Sequence, residues 1–345
     1  MAELGVAVIG FGLAGAVFHA PLIAAEPRMR VAAVVTSAAE RAERARATYP
    51  GVRVVATADE LFADPDGIDL VVIATPNPTH APLAIQALNA GLPVVVDKPF
   101  ALTADQALEV IATAEQAGLA LSVFQNRRWD SDFLTLRRLI EAGELGQVRR
   151  FESRFERWRP VSKGSWREVG EAADGAGILY DLGSHLIDQA LTLFGPATEV
   201  YCELDCRRPD VRSDDDAFIA LTHDSGVRSH LWMSAVTPRL GPRMRVLGSE
   251  SGFLIFGLDP QEDALRAGRR PDDGQPWGTV DSENWGSLGT LDDIHPVPAE
   301  PGNYPAFYAD MAAALLDGAA VPVDPNDAVA TLQVLEEARM SAAGE

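Results

Sequence analysis

The sequence predicts an α/β protein that begins with a doubly wound parallel sheet and continues into a second α+β domain with a largely antiparallel sheet. Short apolar runs alternate with helical stretches from Leu4 to Phe124, which is typical of strands joined by crossover helices. A glycine fingerprint follows the first run, and period-two patterning appears after Gln125. We therefore expect domains at 1–124 and 125–345, with the option that the C-terminal helix packs back on the first domain.

The first strand and the turn after it carry the strongest signal. An apolar run from Leu4 to Ile9 leads into a G-x-G-x-x-G motif that opens an alanine-rich helix from Ala14 to about Ala25. In a dinucleotide site the three glycines allow a tight turn, room for a pyrophosphate and close helix packing, and N–H groups at the helix start bind phosphate. A flexible turn is the alternative, but the strand-turn-helix context favours a nucleotide site of Rossmann type. Its expected residues are Gly10, Phe11, Gly12, Leu13, Ala14 and Gly15.

The end of the second strand bears on the choice of cofactor. In NAD-specific folds an acidic residue there binds the ribose 2′-hydroxyl, whereas here the strand from Val31 to Val35 ends in Thr36 and Ser37, with Arg41 one helical turn later. Two hydroxyls and a guanidinium suit a 2′-phosphate, so the sequence favours NADP, with NAD possible because Glu40 adjoins Arg41. Alternatively, Thr36 and Ser37 cap the helix from Ala38 to Thr48.

The remaining elements follow the same logic. Strands over 69–74, 93–96 and 119–124, with helices to about Ala90 and over 103–117, complete an expected six-stranded domain. The second domain should contain helices over 130–142 and 178–194, a strand over 148–157, and further strands from 199 to about 256. Residues 258–303 are rich in Gly, Pro and Asp and predict a long loop that is functional, interfacial or mobile.

Composition narrows the function classes. The chain has 345 residues, 47% of them hydrophobic and 23% charged, and a formal charge of −21, so nucleic acid and anionic membranes are unfavourable partners. No signal peptide or long apolar segment is apparent, and we expect a cytoplasmic protein with a small-molecule substrate. Cys202 and Cys206 would lie ~13 Å apart along one strand, so neither a disulfide nor a metal site is predicted.

Four motifs in order resemble the Gfo/Idh/MocA family of sugar and polyol oxidoreductases. They are the glycine fingerprint, the segment Ala74-Thr75-Pro76-Asn77-Pro78-Thr79-His80, the segment Asp97-Lys98-Pro99-Phe100, and the segment from Asp181 to Asp188. The segments from Gln125 to Asp130 and from Gly302 to Tyr308 resemble the subgroup that contains NADP-dependent scyllo-inositol dehydrogenases. The family usually has Glu where this chain has Asp97.

The resemblance implies an NADP-linked dehydrogenase or reductase of a cyclic polyol or sugar, assembled as a homodimer or homotetramer. It implies that Lys98, Asp181 and His185 are catalytic, with His185 as general base, Lys98 on the reacting oxygen and Asp181 on a neighbouring hydroxyl. It also implies a cis Lys98–Pro99 bond. Further cofactor contacts are expected from Ala74, Thr75, Pro76, Asn77, His80, Asp97, Lys98 and Pro99, and substrate contacts from Asn126, Trp166, Arg167, Asp181, His185 and Tyr304.

Alternatives remain for these residues. Asp181, His185 and Asp188 follow helical spacing and could form a solvated face or supply metal ligands. His80 could cap the helix after Pro78, and His19 on the first helix is more typical of a core or surface residue. For the whole protein, a redox glycosidase that retains NAD and a non-catalytic binding protein on the same fold are the alternatives.

Overall fold

A computed structural model describes residues 3–344. Its first sheet has six parallel strands in the order β3-β2-β1-β4-β5-β6, where β1 is Leu4–Ile9, β2 Met29–Val35, β3 Arg53–Val55, β4 Leu70–Ile73, β5 Val94–Asp97 and β6 Leu121–Phe124. The helices between them are α1 Ala20–Ala25, α2 Ala39–Thr48, α3 Ala58–Ala63, α4 His80–Asn89 and α5 Ala104–Ala117. The strand order reverses between β1 and β4, which is where doubly wound sheets bind ligands.

The sequence explains why these elements form. Strands β1, β4 and β6 are buried along their whole length, as expected when helices cover both faces of a parallel sheet. Helix α5 begins after Thr103, whose hydroxyl accepts the N–H of Gln106, and ends at Gly118 in the left-handed conformation. Both are common ways to satisfy helix ends. The predicted doubly wound sheet is confirmed.

The first helix differs from the expectation of one α-helix over 14–25. Residues Ala14–His19 form a π-helical turn, and α1 begins only at Ala20. At the junction, Ala20 N donates to Gly15 O five residues back, and Pro21 lies in the first turn of α1, where a residue without an N–H is tolerated. The wider turn leaves His19 fully buried.

The second sheet has eight strands in the order β14-β13-β12-β11-β7-β10-β9-β8. Adjacent strands of this sheet pair in antiparallel fashion, except β7 and β10, which run parallel. The predicted, largely antiparallel sheet is therefore confirmed. The strands are β7 Arg150–Glu156, β8 Ala197–Asp205, β9 Asp216–His223, β10 Arg228–Ser234, β11 Met244–Leu247, β12 Gly252–Ile255, β13 Gly286–Gly289 and β14 Ile294–Val297. Cys206 therefore lies just beyond β8, and both cysteines are free.

The remaining helices are α6 Ser131–Glu141, α7 Trp166–Val169, α8 Ser184–Phe194, α9 Gln261–Arg266, α10 Pro305–Asp317 and α11 Pro325–Ala343. The expectation of one long loop over 258–303 was wrong, because this segment contains α9, β13 and β14. These elements have only four to six residues each, too few to show a helical or strand period. Within residues 3–344, no helix is long and apolar enough to cross a membrane.

The chain forms two compact units that are discontinuous in sequence. The first unit comprises the chain up to Asn126 with Gln261–Trp277 and Asn303–Val329, and the second comprises Arg127–Pro260, Gly278–Gly302 and the chain from Ala330 onward. In the first unit, α10 packs on α1, and Arg28 donates to Ala309 O at 2.7 Å. These units do not follow the partition expected at residues 124 and 125, because two later segments cluster with the first sheet.

Candidate active site

The glycine turn after β1 has no room for a side chain at Gly10 or Gly15, and the position of Gly12 is open. Gly10 has a φ of +92°, and a Cβ there would lie 2.5 Å from Ala74 O. A Cβ on Gly15 would overlap the carbonyl oxygen of Gly10 and lie 3.1 Å from Val8 Cγ1. Gly12 has open space at its Cβ position except for Arg41 Nη1 at 3.9 Å. The turn is thus a cradle of backbone N–H groups at a helix start, suited to phosphate.

The end of β2 carries no carboxylate. Thr36 and the exposed Ser37 follow the strand directly, and Arg41 extends from α2 toward Gly12. The capping alternative for the two hydroxyl residues was wrong: the helix N-cap is Ala38, with no side-chain cap. Thr36 Oγ1 accepts the N–H of Ala38 in a long hydrogen bond of 3.4 Å.

The segment after β4 is tied to the segment after β5 by His80. Its ring is buried, with Nδ1 2.7 Å from Pro99 O and Nε2 2.8 Å from Thr75 O. Helix α4 begins at His80, but no side chain caps it, so the capping alternative was wrong here too. Because both ring nitrogens face backbone carbonyls, His80 holds the two segments together rather than offering a group to a ligand. Ala74 and Asn77 are buried beside it, and Thr75 is half-buried.

Lys98 and Pro99 follow β5 at the same edge of the sheet, and the bond between them is cis, as predicted. The carboxylate of Asp97 accepts the backbone N–H of Lys98 at 2.9 Å. Burial opposes ionisation of Asp97, but His19, His80 and Lys98 together hold its pKa below the usual value. Composition also distinguishes Lys98, because of the 29 lysine and arginine residues only Lys98 and Lys163 are lysines.

In the second unit, Asp181 and His185 lie at the start of a helix that differs from the one predicted over 178–194. Residues Leu179–Gly183 form a π-helical turn, and α8 begins at Ser184. Residues four apart across this turn are therefore not spaced as in a regular α-helix, because a π-turn has more residues per turn and a smaller rotation per residue. The Asp181 side chain is 29% exposed, and its Oδ1 lies 3.3 Å from Nε of Arg167, with which it forms an ion pair. His185 is only 5% exposed.

Asp188, the third member of the expected stripe, is a structural residue. It is buried, and Arg128 binds it with two hydrogen bonds, Nη2 to Oδ1 at 2.6 Å and Nε to Oδ2 at 2.9 Å. The solvated-face alternative was therefore wrong for His185 and Asp188. In the described part of the chain, no group of three or more His, Cys, Asp or Glu side chains could hold a metal.

The short helix α7 positions Trp166 and Arg167. Ser165 and Glu168 form a capping box at its start, and Arg208 donates to Glu168 at 2.8 Å. Gly177 N donates to Arg167 O at 2.9 Å, which ties α7 to the segment before Asp181. The Arg167 guanidinium stacks on the Trp166 ring at 4.8 Å. Thus two residues expected to contact substrate are held beside Asp181 by a polar network.

The other two expected substrate residues differ in accessibility. Asn126 is half-buried and opens a 3₁₀ turn over Asn126–Trp129. Tyr304 has no exposed surface, and its backbone N donates to Gln261 Oε1 at 2.7 Å within the first unit. The substrate contact expected of Tyr304 has no accessible surface to support it, and the function proposed below does not use it.

A parallel sheet that reverses order at a glycine-rich turn is typical of the dinucleotide-binding Rossmann fold. Residues 4–125 match the family described as "Oxidoreductase family, NAD-binding Rossmann fold", and residues 133–254 match the "GFO/IDH/MocA C-terminal domain". The chain belongs to the Gfo/Idh/MocA family and is an NAD(P)-binding oxidoreductase.

Individual relatives extend over nearly the whole chain. It is 43% identical over 344 residues to the "Uncharacterized oxidoreductase YdgJ" of Escherichia coli (strain K12), covering 97% of this chain and 95% of that protein. It is 36% identical over 341 residues to "scyllo-inositol 2-dehydrogenase (NADP(+)) IolW" of Bacillus subtilis (strain 168), covering 97% and 93%. The solved structure of yvaA from Bacillus subtilis superimposes with a TM-score of 0.92 at 34% identity, covering 99% and 96%.

Proposed function

We propose that this oxidoreductase transfers a hydride between NADP and a cyclic polyol or sugar, with an inositol-like substrate favoured. The observation that carries the cofactor assignment is the end of β2, where Thr36 and Ser37 replace an acidic residue and Arg41 lies beside the glycine cradle. A guanidinium forms charge-assisted hydrogen bonds with phosphate oxygens, which are stronger than the hydrogen bond it can donate to a neutral ribose hydroxyl. The similarity to IolW, which its name describes as NADP-dependent, supports the same assignment.

The first unit would bind NADP along the carboxyl edge of its sheet. The cradle from Gly10 to Gly15 would hold the pyrophosphate, and Thr36, Ser37 and Arg41 the 2′-phosphate. Because β4 and β5 are the next strands beyond β1, the segments 74–77 and 97–99 would border the nicotinamide. His80 supports both segments from beneath through its two carbonyl contacts.

The second unit would supply the base. Oxidised NADP, when bound, would supply the acceptor for the hydride of the carbinol carbon. His185 would take the hydroxyl proton as the C–O bond becomes a carbonyl, since a neutral imidazole is a good base near neutral pH. Lys98 would donate a hydrogen bond to the reacting oxygen and stabilise its alkoxide character. Asp181, whose charge is partly balanced by Arg167, would accept a hydrogen bond from a neighbouring hydroxyl of the substrate.

Substrate class follows from charge and from the relatives. A formal charge of −21 favours neutral polyols over acidic sugars, and the IolW similarity favours inositols. Trp166, Arg167 and Asn126 are the further residues proposed to contact the substrate. We propose a cytoplasmic homodimer or homotetramer as the working form.

The test is a spectrophotometric screen of inositols and aldoses with NADP and with NAD. We expect net accumulation of NADPH with at least one inositol, and no comparable rate with NAD. Cleavage of a glycoside without net reduction would instead indicate a redox glycosidase. Binding of NADP without turnover of any polyol or aldose would contradict the proposed activity and favour a binding protein.

A further inference from the structure

Three titratable side chains form a buried line that ends at Asp97 in the first unit. Tyr308 from α10 and His19 from the π-helical turn are both fully buried. The Tyr308 hydroxyl lies 2.6 Å from His19 Nδ1, and His19 Nε2 lies 3.6 Å from Asp97 Oδ1. The His19 ring also packs on Phe124 at 4.3 Å between ring centres. The polar atoms of His19 and Tyr308 thus lie beside the aromatic ring of Phe124.

The protonation preferences of the three side chains determine which atoms donate and which accept along this line. Burial and the charge of Asp97 raise the pKa of Tyr308 well above its usual value, so the phenol keeps its proton. The hydroxyl can then donate to His19 Nδ1, which leaves the ring proton on Nε2. That proton faces the Asp97 carboxylate. At 3.6 Å the contact is longer than a hydrogen bond and acts through electrostatics.

The carboxylate of Asp97 connects His19 to the backbone of Lys98. Oδ1, the same oxygen that faces His19, accepts the Lys98 N–H at 2.9 Å. On the other side of Lys98, His80 Nδ1 contacts Pro99 O at 2.7 Å. The lysine is therefore fixed at the peptide group before it and at the residue after it, and both contacts lead to buried histidines.

We propose that His19, backed by Tyr308, is a positioning residue that acts through Asp97 to fix the Lys98 backbone. The inference deepens the function proposed above, because it rests on the catalytic role of Lys98. This positioning role also explains why a hydroxyl and an imidazole are buried at positions that apolar side chains could fill. A phenylalanine could fill the place of Tyr308 among Phe124 and Phe307, whereas burying a hydroxyl and an imidazole costs free energy unless they are paired.

The groups that face Asp97 determine the response to pH. They are His19 from the first helix, His80 from α4, Tyr308 from α10, and Lys98 next along the chain. Burial alone would raise the pKa of Asp97, and the two histidines and Lys98 lower it below the usual value. The carboxylate therefore holds Lys98 at neutral pH and loses this hold only as pH falls through its lowered pKa. Removing the imidazole of His19 should raise that pKa and move the loss to higher pH.

The test compares four variants. Tyr308→Phe removes one hydroxyl and keeps the ring, and His19→Leu removes both imidazole nitrogens. His19→Gln keeps an acceptor for Tyr308 and a donor for Asp97. Tyr201→Phe is the control for losing a hydroxyl, because the hydroxyl of Tyr201, in β8 of the second unit, donates to Glu203 on the surface.

Turnover gives the first readout. We expect kcat to fall about 10²-fold in His19→Leu, the typical effect of misplacing a catalytic group by about 1 Å. Tyr308→Phe should lose a smaller factor, His19→Gln should recover most of the loss, and Tyr201→Phe should match the wild type. The NADP Kd should stay within about twofold in all four, because the cradle is unchanged.

The second readout does not need activity. Reductive methylation with ¹³C-formaldehyde labels the α-amino group and the two lysines, Lys98 and the exposed Lys163, and the two lysine signals can be followed in each variant. We expect the Lys98 signal to move in Tyr308→Phe and His19→Leu while Lys163 stays in place. In His19→Leu, the Lys98 signal should also show a titration step at higher pH than in the wild type.

The two readouts separate failure of the inference from failure of the proposed function. Lys98 signals that are identical in all variants, with the protein folded, would overturn the positioning role whether or not turnover is found. A lower melting temperature with kcat and the Lys98 signal unchanged would also overturn it, because that result describes a purely structural role. A wild type without NADP-linked turnover but with the expected Lys98 shifts would contradict the proposed activity and leave the positioning intact.

Discussion

The cofactor assignment rests on Arg41, and replacing it tests the assignment most simply. Arg41 is exposed on α2, and its Nη1 atom lies near the glycine turn. A guanidinium about 4 Å from a phosphate gains ~1 kcal/mol at the dielectric constant of water and ~4 kcal/mol at the lower effective value near a protein surface. Because Arg41 is exposed, we take a value near the lower end, about 1.4 kcal/mol, which corresponds to a factor of about ten.

Arg41→Ala should therefore lower kcat/KM for NADP about tenfold and leave kcat/KM for NAD unchanged, since NAD has no 2′-phosphate. The assay is initial-rate kinetics with both cofactors on the best substrate of the screen. Arg46→Ala is the matched control, because it removes the same charge from an exposed position on the same helix. It should leave the ratio of the two cofactors as in the wild type.

Two results would refute the reasoning. The first is an Arg41→Ala variant with the wild-type ratio of NADP to NAD kinetics. The second is a wild type that uses NAD as well as NADP or better, because then the missing acidic residue after β2 has no consequence for selection.

Two further predictions concern stability. Gly15→Ala should lower the melting temperature of the ligand-free protein, because its Cβ would overlap the rigid Gly10 carbonyl and overpacking costs about 1–3 kcal/mol. Gly12→Ala has space for its Cβ and should reduce NADP affinity in calorimetry without that loss; equal melting temperatures for the two variants would contradict the geometry. Burial would raise the pKa of Glu168, but its hydrogen bonds with Ser165 and Arg208 lower it. Its contribution of about 1–3 kcal/mol should thus be present at neutral pH and fade as pH falls through that lowered pKa. Glu168→Gln should therefore melt earlier than the wild type at neutral pH, with the gap closing in acid; a gap independent of pH would rule this out.

The fold could be predicted largely because its strands are buried on both faces. Strand β1 has the predicted bounds, and β2 and β4 to β6 differ from prediction by one or two residues at their ends. Strand β3 was not assigned individually, because its three half-buried residues show no pattern. The π-helical turns at 14–19 and 179–183 also escaped prediction, since a change from four- to five-residue hydrogen bonds leaves no periodic signal in so few residues.

The sequence predicted which residues belong to the candidate site better than it predicted the hydrogen bonds and ion pairs among distant residues. Glycine spacing identified the cradle because only backbone geometry is involved. By contrast, His19 and Tyr308 are 289 residues apart in sequence, and no local pattern links them. The same holds for Arg128 with Asp188, which are 60 residues apart. Contacts of this kind depend on tertiary packing, so helical spacing placed Asp188 on the same stripe as Asp181 and His185 but could not show its pairing with Arg128.

We propose His185 as the general base of an NADP-linked oxidation, and the kcat of His185→Asn tests this role most directly. The measurement is NADPH formation at saturating polyol and NADP, together with the NADP Kd and melting temperature of the same preparation. We predict that kcat falls by about 10² to 10⁴, the usual contribution of a positioned base, while Kd and melting temperature remain near wild-type values. Lys98→Met should behave in the same way. A fully active His185→Asn enzyme would contradict the mechanism, as would a variant that loses NADP affinity and thermal stability while its folded fraction turns over normally.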